Sequence, residues 1–389
     1  MLGHSTLPNT TPTTRIQAVD LLRGAIMVLM AVDHVRVYSG IPAGGPSPGI
    51  FFTRWVTHFS APGFAFLAGT SAFLYQIKLN DRGKLARFLL TRGILLVVLE
   101  LTVIRFFWTF NLNFSQFMLA GVIWMLGWCM VILSAFVQLR ATAIGIIGLV
   151  VIFGQQAFHY VPQLFPLSVR PAIGRVWEFF YPSGQEGMPW IAILYVLIPW
   201  IGVMMAGYGF GQVLLFPPAR MKKYCYAIGL TAIIAFVVSG ICVILLSPPY
   251  QGPLPFLFRL LAQQKYPPSQ IFLLMTLGPL IALAPWAGRA KGWFANLLTV
   301  FGRVPMFYYL LHILLIHTSA LLVNLILSGK THQEWYPTAP FVELSEDQRW
   351  GLPLLYLVYL IDLVILFFVC RRYASYKFAH PERKWLRYL

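Results

Sequence analysis

In VDLLRGAIMVLMAVDHVRVY (residues 19–38), Arg23 and His34 stand eleven residues apart within an apolar run. On an α-helix that spacing is three turns plus about 20°, so both side chains share one stripe, separated by about 16 Å. Asp20 lies one turn before Arg23 and can pair with it, and Asp33 adjoins His34. A guanidinium can hold an anion; an imidazole, titrating near neutrality, can take up a proton or carry a group transiently. Charged groups at membrane depth are costly and normally face a cavity or a partner. His58, in RWVTHFSAPGFAFLAGTSAF, would begin the next span at the depth of His34, and His312 and His317 lie in FGRVPMFYYLLHILLIH. His34, Asp33 and His58 are therefore the catalytic candidates, while His317 reads as a core histidine. A plainer reading stands beside this one, with Asp20–Arg23 as an interfacial pair whose arginine snorkels and Asp33–His34 as an ordinary helix end.

The elements that must position these residues are membrane helices. The 389 residues are 58% hydrophobic and only 11% charged, against about a quarter charged in soluble domains, and the mean hydropathy is +0.72. Apolar runs near 24–33, 61–77, 88–104, 117–137, 140–154, 190–216, 226–247, 270–286, 304–328 and 351–370 approach or reach the roughly 20 residues a span needs. They are continuously apolar rather than alternating, which favours helices over a barrel. The expected fold is all-α, a polytopic transmembrane bundle of about ten spanning helices. It divides into a tail at 1–17, the bundle at 18–372 and a basic tail at 373–389. The polar opening MLGHSTLPNTTPTTR does not read as a signal peptide. Cys129, Cys225, Cys242 and Cys370 are scattered without a CxxC pair, so neither a disulfide frame nor a metal site is expected.

The net charge of +17 orients the bundle. Lys78, Arg82, Lys84, Arg87 and Arg92 follow the second run, Arg140 separates the fourth and fifth, and Arg220, Lys222 and Lys223 follow the sixth. Arg289 and Lys291 follow the eighth, and the tail holds Arg371, Arg372, Lys377, Arg383, Lys384 and Arg387. With ten spans these clusters all fall on one side, which the positive-inside rule makes cytoplasmic, with both termini there. The longer segments 159–189, 248–269 and 329–350 would lie outside with Glu178, Glu186, Glu334, Glu343, Glu346 and Asp347. No nucleic-acid-binding module is visible, because the basic residues are dispersed among loops.

RIQAVDLLRGAIMVLMAVDH resembles the opening helix of the transmembrane acyltransferase superfamily, with an Arg, ten residues and a His after Asp-Leu-Leu. The Tyr-Leu-x-His stretch of FGRVPMFYYLLHILLIH is similar to a late helix of the same superfamily. THFSAPGFAFLAGTSAFL, LIPWIGVMMAGYGFG and KYPPSQIFLLMTLGPLIAL narrow the resemblance to the bacterial branch of the heparan-alpha-glucosaminide N-acetyltransferase catalytic-domain family, over about residues 15–325. KYPPS with MTLGP is its most specific element. The resemblance implies acetyl transfer from cytoplasmic acetyl-CoA, across a bacterial inner membrane, to an amino or hydroxyl group of a sugar or glycan outside. In the lysosomal eukaryotic members an Asn takes the place of His34 and the catalytic His lies in the following loop. Here that loop, SGIPAGGPSPG, has no His, so either His34 or His58 supplies the base or the reaction differs.

On this reading His34 is the base, with Asp33 or a neighbour orienting it and His58 as partner or second choice. Arg23, positioned by Asp20, and Arg303 would contact CoA. Lys265, Tyr266 and His312 are the acceptor-side candidates. Arg303 reads equally well as a positive-inside flank, and YPPS as a rigid helix start. Glu100 and Arg105 read as neutralising each other and are assigned no chemistry. The alternative from another class is a proton-coupled transporter that uses the intramembrane Asp, Arg and His as a relay, although no inverted repeat with paired broken helices is visible. The residues alone leave the acceptor's identity and dimerisation open.

Overall fold

The computed structural model describes residues 13–184, 188 and 190–387. Most of the expected N-terminal tail, residues 1–12, lies outside the described residues, as does Glu186. Among the described residues the fold is all-α but for one pair of three-residue parallel strands, β1 (Met118–Ala120) and β2 (Ile191–Ile193). The first third runs through α1 (Thr13–Tyr38), α2 (Pro48–Trp55), α3 (Ser60–Leu79), α4 (Arg82–Leu99) and α5 (Arg105–Thr109). Next come α6 (Val122–Phe136), α7 (Ala141–Phe153), α8 (Arg170–Trp177), α9 (Leu197–Phe210) and α10 (Pro218–Leu246). The last group is α11 (Phe256–Leu261), α12 (Gln270–Ala287), α13 (Trp293–Arg303), α14 (Pro305–Ser328) and α15 (Leu352–Ala379).

Each of the ten apolar runs contains a helix. By length and composition, however, five helical segments among the described residues can cross a membrane, or six if α7 and the 3₁₀ segment Gln155–Leu164, bent by 74°, form one span. The protein is an integral, multi-pass membrane protein. The runs at 117–137 and 190–216 yield shorter helices than expected because their opening residues form the two strands. Lipid-facing character is plainest on α10, where Leu230, Ile234, Val238 and Leu245 are exposed.

α1 behaves differently. It carries Asp20, Arg23, Asp33 and Arg36, too many charges to face lipid at bearable cost, and α3, α12, α13, α14 and α15 pack around it. Its apolar side buries Leu21, Ile26, Met27, Ala31, Val35 and Tyr38. Association of helices in lipid relies on close van der Waals approach, which small residues permit. A Cβ on Gly24 would collide with the Leu298 carbonyl of α13, and one on Gly302 of α13 would collide with the Asp20 carbonyl. α1 and α13 thus touch backbone to backbone, and Arg23 Nη1 donates to the Gly302 carbonyl at 3.1 Å. Gly302→Val should push the two helices apart and cost about 1–3 kcal/mol, read as a lower unfolding temperature in detergent. An unchanged melting curve would show that the contact tolerates a side chain.

Candidate functional site

Two cavities lie end to end beside α1. The first, about 300 Å³, touches Arg23 and Met27 of α1, Phe88, Arg92 and Leu96 of α4, and Met306 and Tyr309 of α14, with Arg303 and Lys377 also in its wall. The second, about 360 Å³, touches Asp33, His34 and Val37 farther along α1, Glu100 just past α4, and again Tyr309. Arg54, Trp108, Tyr195, Tyr266 and Glu343 complete the part of it that matters for chemistry. Tyr309 therefore stands where the basic cavity and the histidine cavity adjoin.

At the basic end, Arg23 is held by three partners. Its Nη1 reaches Asp20 Oδ1 at 3.4 Å as well as the Gly302 carbonyl, and its Nη2 donates to Ser71 Oγ at 2.5 Å. Asp20 thus adjoins Arg23 as the spacing predicts. Arg92 and Lys377 join Arg23 and Arg303 in one wall. In the sequence these two are merely topological charges, because one lies on α4 and the other far away on α15. Four cations above an apolar lining of Met27, Phe64, Ala68, Leu96 and Met306 suit a ligand with phosphates at one end and a thin, flexible arm at the other. Acetyl-CoA has that form, so the residues present fit it.

At the other end, His34 Nδ1 lies 2.7 Å from His312 Nε2, the rings stacked with centroids 4.8 Å apart. His312 Nδ1 is 3.1 Å from the Tyr308 carbonyl oxygen. A carbonyl can only accept, so His312 carries its proton on Nδ1 and offers the lone pair of Nε2. His34 must then donate from Nδ1, and with neutral rings its own Nε2 is left unprotonated. Trp108 packs edge-on against His34 at 4.8 Å, and Tyr309 lies edge-on to both histidines, at 6.4 Å from His34 and 5.1 Å from His312. The His312 ring is fully buried whereas His34 is half-buried on the cavity wall.

The fold gives several of the candidates contacts other than those the sequence suggests. Asp33 does not orient His34: its Oδ1 accepts from Arg36 Nε at 3.0 Å and its Oδ2 from Arg54 Nη1 at 2.8 Å, so both oxygens are taken. The side chain that meets His34 is His312, which the sequence reading places on the acceptor side. His58 is not brought against His34; its ring faces Phe272 at 5.5 Å and its Nδ1 is buried without a hydrogen-bond partner among the described residues. Glu100 and Arg105 do not neutralise each other. The Arg105 guanidinium donates to the backbone carbonyls of Phe117 (2.9 Å), Asn113 (2.6 Å) and Asn111, while Glu100 lines the second cavity.

Tyr266 lines that cavity as well, its hydroxyl 3.3 Å from the Tyr195 hydroxyl. Lys265 is buried behind it with Nζ over the Tyr266 ring (5.1 Å) and the Tyr195 ring (5.9 Å). His317 is a core residue: its Nδ1 meets the Phe107 carbonyl at 2.9 Å, and its ring stacks on Phe110 and Tyr38. Tyr309 is the tyrosine of the Tyr-Leu-x-His stretch, and that motif is the one signal in the sequence that could single it out.

The family described as heparan-alpha-glucosaminide N-acetyltransferase, catalytic, matches residues 15–240, more than half of the chain. That stretch includes Arg23 and His34. Comparison with curated proteins gives no match. The chain belongs to this family of membrane acetyltransferase catalytic domains.

Proposed function

From that membership and the two adjoining cavities, we infer that the protein moves an acetyl group from acetyl-CoA, held at the Arg23 end, to an amino or hydroxyl group of a sugar or glycan admitted at the His34 end. Arg23, Arg303, Arg92 and Lys377 hold the phosphates by charge-assisted hydrogen bonds. Acetyl-CoA supplies the acetyl group as a thioester. His34 Nε2 takes the proton from the attacking nitrogen or oxygen as general base, and His312 is the positioning residue that keeps His34 in the required tautomer. Tyr309, at the junction, is placed to donate its hydroxyl to the oxyanion. Tyr266 and Lys265 belong to the acceptor side. Asp33 keeps Arg36 and Arg54 in place.

The observation that carries this reading is the shared wall at Tyr309: a basic cavity and a histidine cavity both touch this residue along one face of α1. The sidedness is proposed on similar grounds. Arg92, Arg303 and Lys377, from the predicted cytoplasmic segments, gather at the first cavity. Tyr266, Pro340, Phe341 and Glu343, from predicted outer segments, gather at the second. This grouping of predicted cytoplasmic and outer segments at opposite cavities supports cytoplasmic termini; the bacterial inner membrane and about ten spanning helices are proposed from the family resemblance and the apolar runs.

The test is purified protein with labelled acetyl-CoA. Acceptor-dependent release of CoA is expected, and failure to bind acetyl-CoA at all would favour the transporter reading. Arg303→Gln should weaken acetyl-CoA binding about tenfold, with the wild-type advantage shrinking as salt rises. Equal affinities at low salt would remove Arg303 from the phosphate site.

A further inference from the structure

On the lipid-facing side, a third cavity of about 340 Å³ runs between two helix pairs. Glycines hold each pair at close range: Gly145 of α7 lies against Gly209 of α9, and Gly229 of α10 against Gly278 of α12. Close approach of this kind is what binds helices in lipid. Between the pairs a groove remains, floored by the buried Phe66, Leu273 and Ile281. Its rim, with Ile146, Leu149 and Ile228, is exposed and continues the apolar outer face of α10.

Thr142 and Phe153 of α7 mark the two ends of the groove, about 16 Å apart at the helical rise. That is close to the hydrocarbon depth of one leaflet, about 15 Å. One end is bridged by amides. Gln270 of α12 donates to the Ile152 carbonyl at 3.3 Å and pairs with Gln156 at 2.7 and 2.8 Å. At the other end Thr142 meets Gln212 at 3.2 Å. Just past it, the start of α10 brings up a cation: Arg220 lies over the Phe216 ring at 4.3 Å and the Tyr224 ring at 5.6 Å. Stacking occupies the faces of the guanidinium and leaves its N–H edge for a phosphate. Arg220 precedes Ile228 by about 12 Å along α10, so an anion held there sits at the mouth of the groove.

We propose that the groove seats one acyl chain of an anionic phospholipid, with Arg220 holding its phosphate. An acyl chain gains the van der Waals contacts that the floor offers, and it brings no polar group for the apolar lining to strand. A helix from a second copy fits less well, since large side chains rather than small ones crown the rim. Charge completes the match: the groove ends at a cation from a predicted cytoplasmic segment, and anionic lipids line that face of a membrane. The lipid bridges the α7–α9 and α10–α12 pairs. Its site shares no lining residue with the two cavities beside α1 among the described residues, and does not depend on acetyl transfer.

The experiment is native mass spectrometry of the full chain in detergent, given equal amounts of phosphatidylglycerol and phosphatidylcholine with the same oleoyl chains. The wild type should retain phosphatidylglycerol about fivefold better, the advantage one arginine confers at an anionic headgroup. Arg220→Gln should lose that preference. Leu149→Trp, which fills the groove from its exposed rim, should lower retention of both lipids at least about fivefold. Ile234→Trp, on the exposed face of α10 outside the groove, should retain them as the wild type does. Equal retention of the two lipids by the wild type, or an unchanged preference in Arg220→Gln, overturns the assignment. Equal losses in the two tryptophan variants overturn it too, because lipid would then coat the surface without choosing this groove. So does a doubled protein mass that disappears in Leu149→Trp, which would give the groove to a second copy. Should Leu149→Trp not fold, the comparison of Arg220→Gln with the wild type decides alone.

Discussion

His34→Ala should lower acceptor-dependent release of CoA by about 10²–10⁴-fold, the range a positioned general base supplies, with acetyl-CoA affinity changed by less than about twofold. The two effects separate because Arg23, proposed to hold the phosphates, lies about three helical turns from the imidazole on α1. His34 is half-buried, so alanine leaves a gap in the cavity wall and no buried charge. His312 then keeps its bond to the Tyr308 carbonyl and loses only its partner on Nε2. Steady-state rates with saturating acetyl-CoA, beside equilibrium binding of acetyl-CoA, read both quantities. His58→Ala serves as the comparison, since His58 faces Phe272 outside the cavity. If the two variants lost equal activity, or if His34→Ala kept the wild-type rate, His34 would not be the base.

The second large effect is on stability. Asp33→Ala should destabilise the protein by about 3–5 kcal/mol, because it leaves two buried guanidiniums without their shared carboxylate. Asp33 and its partners Arg36 and Arg54 all have side chains no more than 17% exposed, so water replaces the lost oxygens only in part. Asn at the same position should recover part of the loss, since its carbonyl can accept from one arginine but carries no charge. Denaturant or thermal unfolding in detergent measures this. A variant as stable as the wild type yet inactive would return Asp33 to the catalytic group, whereas an unstable variant whose folded fraction turns over normally fits the ion-pair role.

The difference between these two neighbouring residues illustrates where sequence reading stops. That Arg36 lies one turn from Asp33 is visible in the spacing, but Arg54 comes from α2 and meets Asp33 only because the chain folds back over the end of α1. His312 is recognisable in the sequence as a buried histidine in need of a partner, and that partner, 278 positions earlier in the chain, cannot be read from either helix. Proximity in sequence pairs Glu100 with Arg105; the fold turns one toward the cavity and the other toward carbonyls. Of the resemblance read over about residues 15–325, the family match covers residues 15–240; KYPPS with MTLGP and the Tyr-Leu-x-His stretch lie beyond it.

What the residues determined unaided was local and compositional. Low charge and long apolar runs require a lipid-embedded bundle of helices, and the helical period sets Arg23 and His34 on one stripe whatever packs around them. Tertiary structure decided the partners: which imidazole meets His34, which guanidinium meets Asp33, and that Tyr309 stands between two chambers. The reason is physical. A helix closes its own backbone hydrogen bonds and needs no neighbour to fix its period, whereas a polar side chain in an apolar surround takes whichever complementary group the close packing of small residues brings within reach.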